Sequence, residues 1–288
     1  MFTKRSGLRD KESVPCYTVC LSPIDQMLSN TLLCSSMELD EYQKTLLQEA
    51  PKTRGKGGFS SASSARHLVR ALELKERMPE VAVFLMITAE EEAATAVFAA
   101  LRKRRYEGAN RLKDTDHVFK AGLYPFIQLL GNSVAAIKYN IPLELFFEPK
   151  ENNPTDRVLK LRIPLNVPAH KRLCIVPDPP LNLVSVGPDG NATDYFKAVR
   201  EVASKEGIDS IHEQIRRWAN RRNKLLYASD SGVPEVESVE KWLWPHFNGV
   251  FVNLAAYLLI EPHIKQNFVQ EALSAFLKVQ SRLEARET

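Results

Sequence analysis

Apolar positions along most of this chain recur at helical spacing. Between Glu80 and Arg105, Phe84, Ile87, Glu91, Ala94, Phe98 and Leu101 follow one another at steps of three and four, so they share one helix face. Pro79 suits the first helical position, and Arg102-Lys103-Arg104-Arg105 suits the C-terminal end of the dipole. Ser61 to Ser64 offer N-caps for an earlier helix over residues 65–77. Thr115 and Asp116 start a later one that runs to about Tyr139, with Gly122 and Pro125 as bend points. Further helices are expected over 195–206, 211–229, 236–261 and 262–286. Pro245 should kink or split the third of these, where Trp242, Trp244 and Phe247 crowd together as core or as a dimer face.

The period changes between Pro142 and Gly190. In Val158-Leu159-Lys160-Leu161-Arg162-Ile163 apolar and basic residues alternate, and Leu143–Phe147, Leu173–Val176 and Leu181–Val186 are also strand-like. Gly187-Pro188-Asp189-Gly190 closes the region with turn residues. This reads as a small antiparallel β-meander inserted between helices, either a recognition element or a structural cover. Residues 1–59 are weakly patterned. Glu38 to Gln48 can form a short helix, and Ala50 to Gly58 reads as a polar linker or a basic arm for nucleic acid. The expected organisation is a poorly ordered region at 1–59, helices at 60–141, a β-rich insertion at 142–190 and helices at 191–288. The fold class is mainly α.

A hydrophobic content of 44% supplies a substantial core, and a net charge of +4 permits an anionic partner without demanding one. Cys16, Cys20, Cys34 and Cys174 are too few for a disulfide framework and lack zinc-site spacing, so a reducing cytoplasm and no metal or other cofactor are expected. The apolar run Val250 to Ile260 is far shorter than the roughly 20 residues of a membrane helix, so no membrane association is expected.

Two stretches carry candidate chemistry. The first is Glu91, which interrupts the apolar stripe. A buried, unpaired carboxylate is costly, so Glu91 needs a cation such as Lys120 or Arg222, or else it lies at the stripe's edge and reaches water. Glu90 and Glu92 are expected in solvent. The second is Ile211 to Ser229, a basic helix with Arg216, Arg217, Arg221, Arg222 and Lys224 beside Trp218, Leu225 and Leu226. Its arginines can bind phosphate or simply lie in water. His117 and Lys120, three apart, share a face, and Arg111 precedes His117 by six.

Arg222-Asn223-Lys224-Leu225-Leu226-Tyr227 resembles the signature of HEPN-superfamily helical domains, in which an Arg precedes a His at about this spacing; Tyr227 stands in the His place. Thr88-Ala89-Glu90-Glu91-Glu92-Ala93-Ala94-Thr95-Ala96 is similar to the Glu-rich helix of the AbiV-type abortive-infection family, a HEPN-like group of phage-resistance proteins. That family usually has Lys where this chain has Thr95. His117-Val118-Phe119-Lys120 is similar to the His and Lys of its following helix, and Arg222 to Tyr227 to its closing motif. The resemblance covers about 60–140 and 194–286.

The resemblance implies a HEPN-like helical bundle, a homodimer with a composite basic cleft, and a metal-independent endoribonuclease in phage defence, with a phage protein as a candidate trigger. The implied catalytic set is Arg222 on the scissile phosphate with Asn223, Tyr227, Glu91 and His117. Arg217, Arg221, Lys224, Lys120 and Arg111 are the implied RNA contacts. On one straight helix, residues five apart point about 140° apart, so Arg222 and Tyr227 would meet a substrate only across a dimer. The phenol of Tyr227, ordinarily protonated at neutral pH, is a poor base, which leaves His117 as the alternative. The competing class is a non-catalytic HEPN-like module that blocks phage growth or translation by binding protein or RNA. A small-molecule enzyme that uses the β-insertion as a lid has no phosphate loop or metal cluster to support it.

Overall fold

The computed structural model describes residues 17–19, 37–135, 143–164, 173–182, 190–191, 194–198, 201, 236 and 238–284. Within them the chain is mostly helical, with a small antiparallel sheet. The helices are α1 (Glu41–Glu49), α2 (Lys56–Leu74), α3 (Pro79–Lys103), α4 (His117–Ala121), α5 (Leu123–Ala135), α6 (Val239–Ile260) and α7 (Asn267–Glu284).

Helix α3 is the axis of the molecule. Most of its alanines, with Val83, Met86, Ile87, Val97 and Phe98, are buried, because α2 covers one side and α6 another. A helix enclosed in this way has no solvent face in its middle. Pro79 opens it as expected.

Ser61 to Ser64 lie inside α2, which begins well before them, so they are not caps. Ser61 Oγ donates back to the Gly57 carbonyl at 2.8 Å, and Ser64 Oγ donates across to the Ala89 carbonyl of α3 at 2.7 Å. The small residues let the two helices approach closely. Gly57 allows the same on the other side, since a Cβ there would fall 2.7 Å from Tyr257 Oη of α6.

The linker expected at 50–58 is therefore part of the packed structure, as is all of 37–59. Asp40 caps α1 through a reciprocal capping box with Gln43, Leu46 and Ala50 are fully buried, and Gly57 and Gly58 are inside. Glycine here serves close approach and, at Gly55 (φ 96°), a left-handed turn into α2.

Strands β1 (Tyr17–Val19), β2 (Leu143–Lys150) and β3 (Asn153–Pro164) form an antiparallel sheet, to which β4 (Cys174–Ile175) adds two residues on β3. The meander is thus not self-contained, because its first strand comes from the N-terminal region. Leu145, Phe147, Leu159 and Leu161 point inward, paired Leu145 to Leu161 and Phe147 to Leu159, and Tyr42 of α1 meets the Phe147 ring at 5.7 Å. Glu144–Arg162 and Glu148–Lys160 pair charges on the same two strands. Most of the expected strand at Leu181–Val186 lies outside the described residues.

The helix expected from Asp116 to Tyr139 is two. Gly122 separates α4 from α5, and Phe119 of α4 and Phe126 of α5 both lean on Phe276 of α7. Helix α6 runs unbroken through Pro245, with Trp244 stacked on Phe247 at 5.8 Å. It is the one described helix long and apolar enough to cross a membrane by composition, and most of it is buried among the other helices. Helix α7 starts at Asn267, five residues after Pro262, which lies in a turn.

Candidate functional site

The carboxylate that breaks the apolar stripe of α3 has found its cation. Lys120 Nζ lies 3.0 Å from Glu91 Oε2, with both side chains less than a tenth exposed. His117 Nδ1 approaches the same carboxylate, at 2.8 Å from Oε2 and 2.9 Å from Oε1, and its side chain is 48% exposed. Glu91 is thus held from one side by a buried ammonium, and it presents the edge of an imidazole to solvent.

Local sequence builds this arrangement. Asp116 Oδ1 accepts from Val118 N at 2.8 Å and Phe119 N at 3.4 Å, which starts α4 directly at His117. The three-residue step then places His117 and Lys120 on one side of α4, facing α3. The loop before α4 is anchored as well. Asp114 is bound by Lys56 at the start of α2 and by Arg102 at the end of α3. These cations, Lys56 first, hold its carboxyl at about 2, below the ordinary carboxylate range.

A carboxylate only accepts, so Glu91 selects the imidazole tautomer with its proton on Nδ1. The neutral ring then has its lone pair on Nε2, pointing away from Glu91. A half-exposed imidazole oriented by a buried carboxylate is equipped for proton transfer with a molecule arriving from solvent.

Glu90, one residue earlier, is buried too, which corrects the expectation that it lies in solvent. It turns toward α6, where His246 Nδ1 lies 2.5 Å from its Oε2 and both side chains are nearly inaccessible. Gly249, one turn after His246, leaves the space that Glu90 fills, since a Cβ there would come within 2.6 Å of Oε1. Tyr124 of α5 is fully buried close by and accepts from Gln128 Nε2 at 2.9 Å. Its phenol pKa is pushed upward by burial and then by the charge of Glu90. Adjacent residues on a helix point about 100° apart, and α3 uses that divergence to send one carboxylate to α4 and the next to α6. The sequence analysis passed over this pair, although a lone histidine in an apolar helix with a glycine three residues on could have signalled it.

Of the other site residues, Lys120 is buried against Glu91, so it positions that carboxylate rather than reaching out to RNA. Arg111 is exposed at the end of the 3-10 turn Ala109–Arg111. Arg217, Arg221, Arg222, Asn223, Lys224 and Tyr227 lie outside the described residues. Thr95 packs inside α3 and donates to the Glu91 carbonyl at 2.9 Å. Among the described residues no three His, Cys, Asp or Glu side chains gather as a metal-holding group. Comparison with family models, with curated proteins and with solved structures gave no match to this chain.

Proposed function

We propose that this chain is a HEPN-like, metal-independent endoribonuclease of the AbiV type that acts in phage defence in the cytoplasm, with His117 as its proton-transfer group. The observation that carries the reading is the solvent-facing imidazole of His117 clamped by the buried Glu91–Lys120 pair.

RNA supplies its own nucleophile. His117 Nε2 takes the proton of a ribose 2′-hydroxyl, whose oxygen attacks the adjacent phosphorus. The P–O5′ bond breaks, leaving a 2′,3′-cyclic phosphate and a 5′-hydroxyl. The departing oxygen takes a proton from the Tyr227 hydroxyl or from water. Arg222 neutralises the charge that builds on the non-bridging oxygens. Glu91 holds the imidazole in the required tautomer and orientation, while Lys120 holds Glu91 in place. The resemblance implies a homodimer with a composite basic cleft, and this reading requires Arg222 to reach the phosphate that His117 serves.

The test is incubation of purified protein with labelled RNA in the presence of chelator, beside His117→Ala, Glu91→Gln and Arg222→Ala. Cleavage lost in all three folded variants supports the reading. Cleavage that survives His117→Ala refutes it. Tyr227 in place of histidine favours a second reading, a non-catalytic module that acts by binding RNA or protein. That reading gains if the folded wild type cuts no RNA yet retains a partner.

A further inference from the structure

Helix α2 carries a surface that the chemistry above does not use. From Ala50 to Leu72 the chain has no Asp or Glu, yet it has Lys52, Arg54, Lys56, Arg66 and Arg70. Lys52 is engaged by Glu49 and Asp156, and Lys56 by Asp114. Arg54, Arg66 and Arg70 are exposed, and none of them pairs with a carboxylate among the described residues.

Phe59, Ala62, Arg66, Val69, Arg70 and Glu73 are all exposed and recur at helical steps, so they form one stripe. Phe59 is 76% exposed and Val69 42%, so the core does not account for either. The eleven-residue step from Phe59 to Arg70 spans about 16 Å along the axis. The half-buried His67 of this helix has its pKa lowered by burial first and then by Arg66, with Glu92 of α3 opposing and Arg70 adding.

One end of the stripe lies near the loop that precedes the site. Lys56, three residues before Phe59, binds Asp114, which is three residues before His117. The Phe59 end of α2 therefore abuts the loop that delivers the imidazole.

We propose that this face of α2, with Arg54 just before the helix, guides single-stranded RNA to His117, with Phe59 stacking an unpaired base and Arg54, Arg66 and Arg70 contacting phosphates. The inference rests on the ribonuclease reading for its substrate. An exposed ring flanked by unpaired guanidiniums suits a polymer that is both aromatic and anionic. Two isolated apolar side chains are too little for a lipid surface. A duplex keeps its bases stacked and would gain nothing from Phe59. Stacking accepts any base, so sequence preference on this face is weak.

The experiment is fluorescence anisotropy of a short labelled RNA against the full chain carrying His117→Ala, so that nothing is cut. Adding Phe59→Ala should weaken single-strand binding by about 5- to 150-fold. Adding Arg66→Gln with Arg70→Gln should flatten the dependence of log affinity on log salt by about 1.4, for two phosphate contacts. The same RNA annealed into a duplex should bind more weakly and ignore Phe59→Ala. Binding unchanged in both sets of variants overturns the inference. So does a Phe59-dependent attachment to phosphatidylserine vesicles without one to RNA. If wild type cleaves RNA and Phe59→Ala leaves KM unchanged, the stripe fails and the cleavage centre stands. If RNA binds through Phe59 but wild type never cleaves, the stripe stands and the cleavage centre fails. A folded protein that binds no RNA ends both.

Discussion

Removing the ammonium of Lys120 puts the buried pair to a direct test. In Lys120→Met the side chain keeps its bulk, but Glu91 remains 5% exposed with no ammonium 3.0 Å away. Breaking a buried ion pair from one side costs about 3–5 kcal/mol, because the remaining charge stays in a poor solvent. His117 still lies 2.8 Å from the carboxylate and donates to it, so the loss should fall at the lower end, about 3 kcal/mol at pH 8. Removing the second charge as well, in Glu91→Gln/Lys120→Met, should recover most of the loss, leaving a coupling of about 2 kcal/mol. The assay is urea denaturation of wild type, both single variants and the double variant at pH 8. A Lys120→Met deficit below about 1 kcal/mol at pH 8, or a double variant no better than the single, refutes the coupled pair.

Other perturbations test the scaffold around it. Gly249→Ala would ordinarily strengthen a helix by about 1 kcal/mol, but here its Cβ would strike Glu90, so denaturation should show a loss of about 1–3 kcal/mol. A stabilised variant would mean that Glu90 is not confined by α6. Asp116→Ala removes the cap of a five-residue helix and should cost about 1 kcal/mol, with a fall in RNA cleavage, since α4 carries both His117 and Lys120. Asp114 has a folded pKa near 2, against an ordinary 3.8, so the stability it contributes is present above about pH 4 and lost as pH falls through 2. Asp114→Asn should therefore be less stable than wild type at pH 7, by about 1 kcal/mol after solvent screening, and indistinguishable from it near pH 2.

Periodicity made the fold class legible, together with α3 and its opening at Pro79 and the need of Glu91 for a cation. It failed where one face of a helix was assumed to meet water. Glu90 lies off the stripe and so reads as solvated, yet α3 is enclosed by α2 and α6 and buries both Glu90 and Glu91. Gly57 and Gly58 read as a linker because glycine loosens a chain, whereas here they let α2 press against Tyr257 and Thr53. The serines of α2 read as caps because nothing in the sequence says that Ser64 faces a carbonyl of α3. Tertiary approach decides such positions, and a single chain of letters does not encode it locally.

The most direct test of the cleavage centre is the chemistry of the RNA ends. Cleavage in chelator by wild type should leave a 2′,3′-cyclic phosphate and a 5′-hydroxyl, stop when the scissile ribose is replaced by 2′-deoxyribose, and disappear in folded His117→Ala. Products ending in a 3′-hydroxyl and a 5′-phosphate, or cleavage that persists at the deoxy position, would contradict attack by the 2′-hydroxyl with His117 as its base.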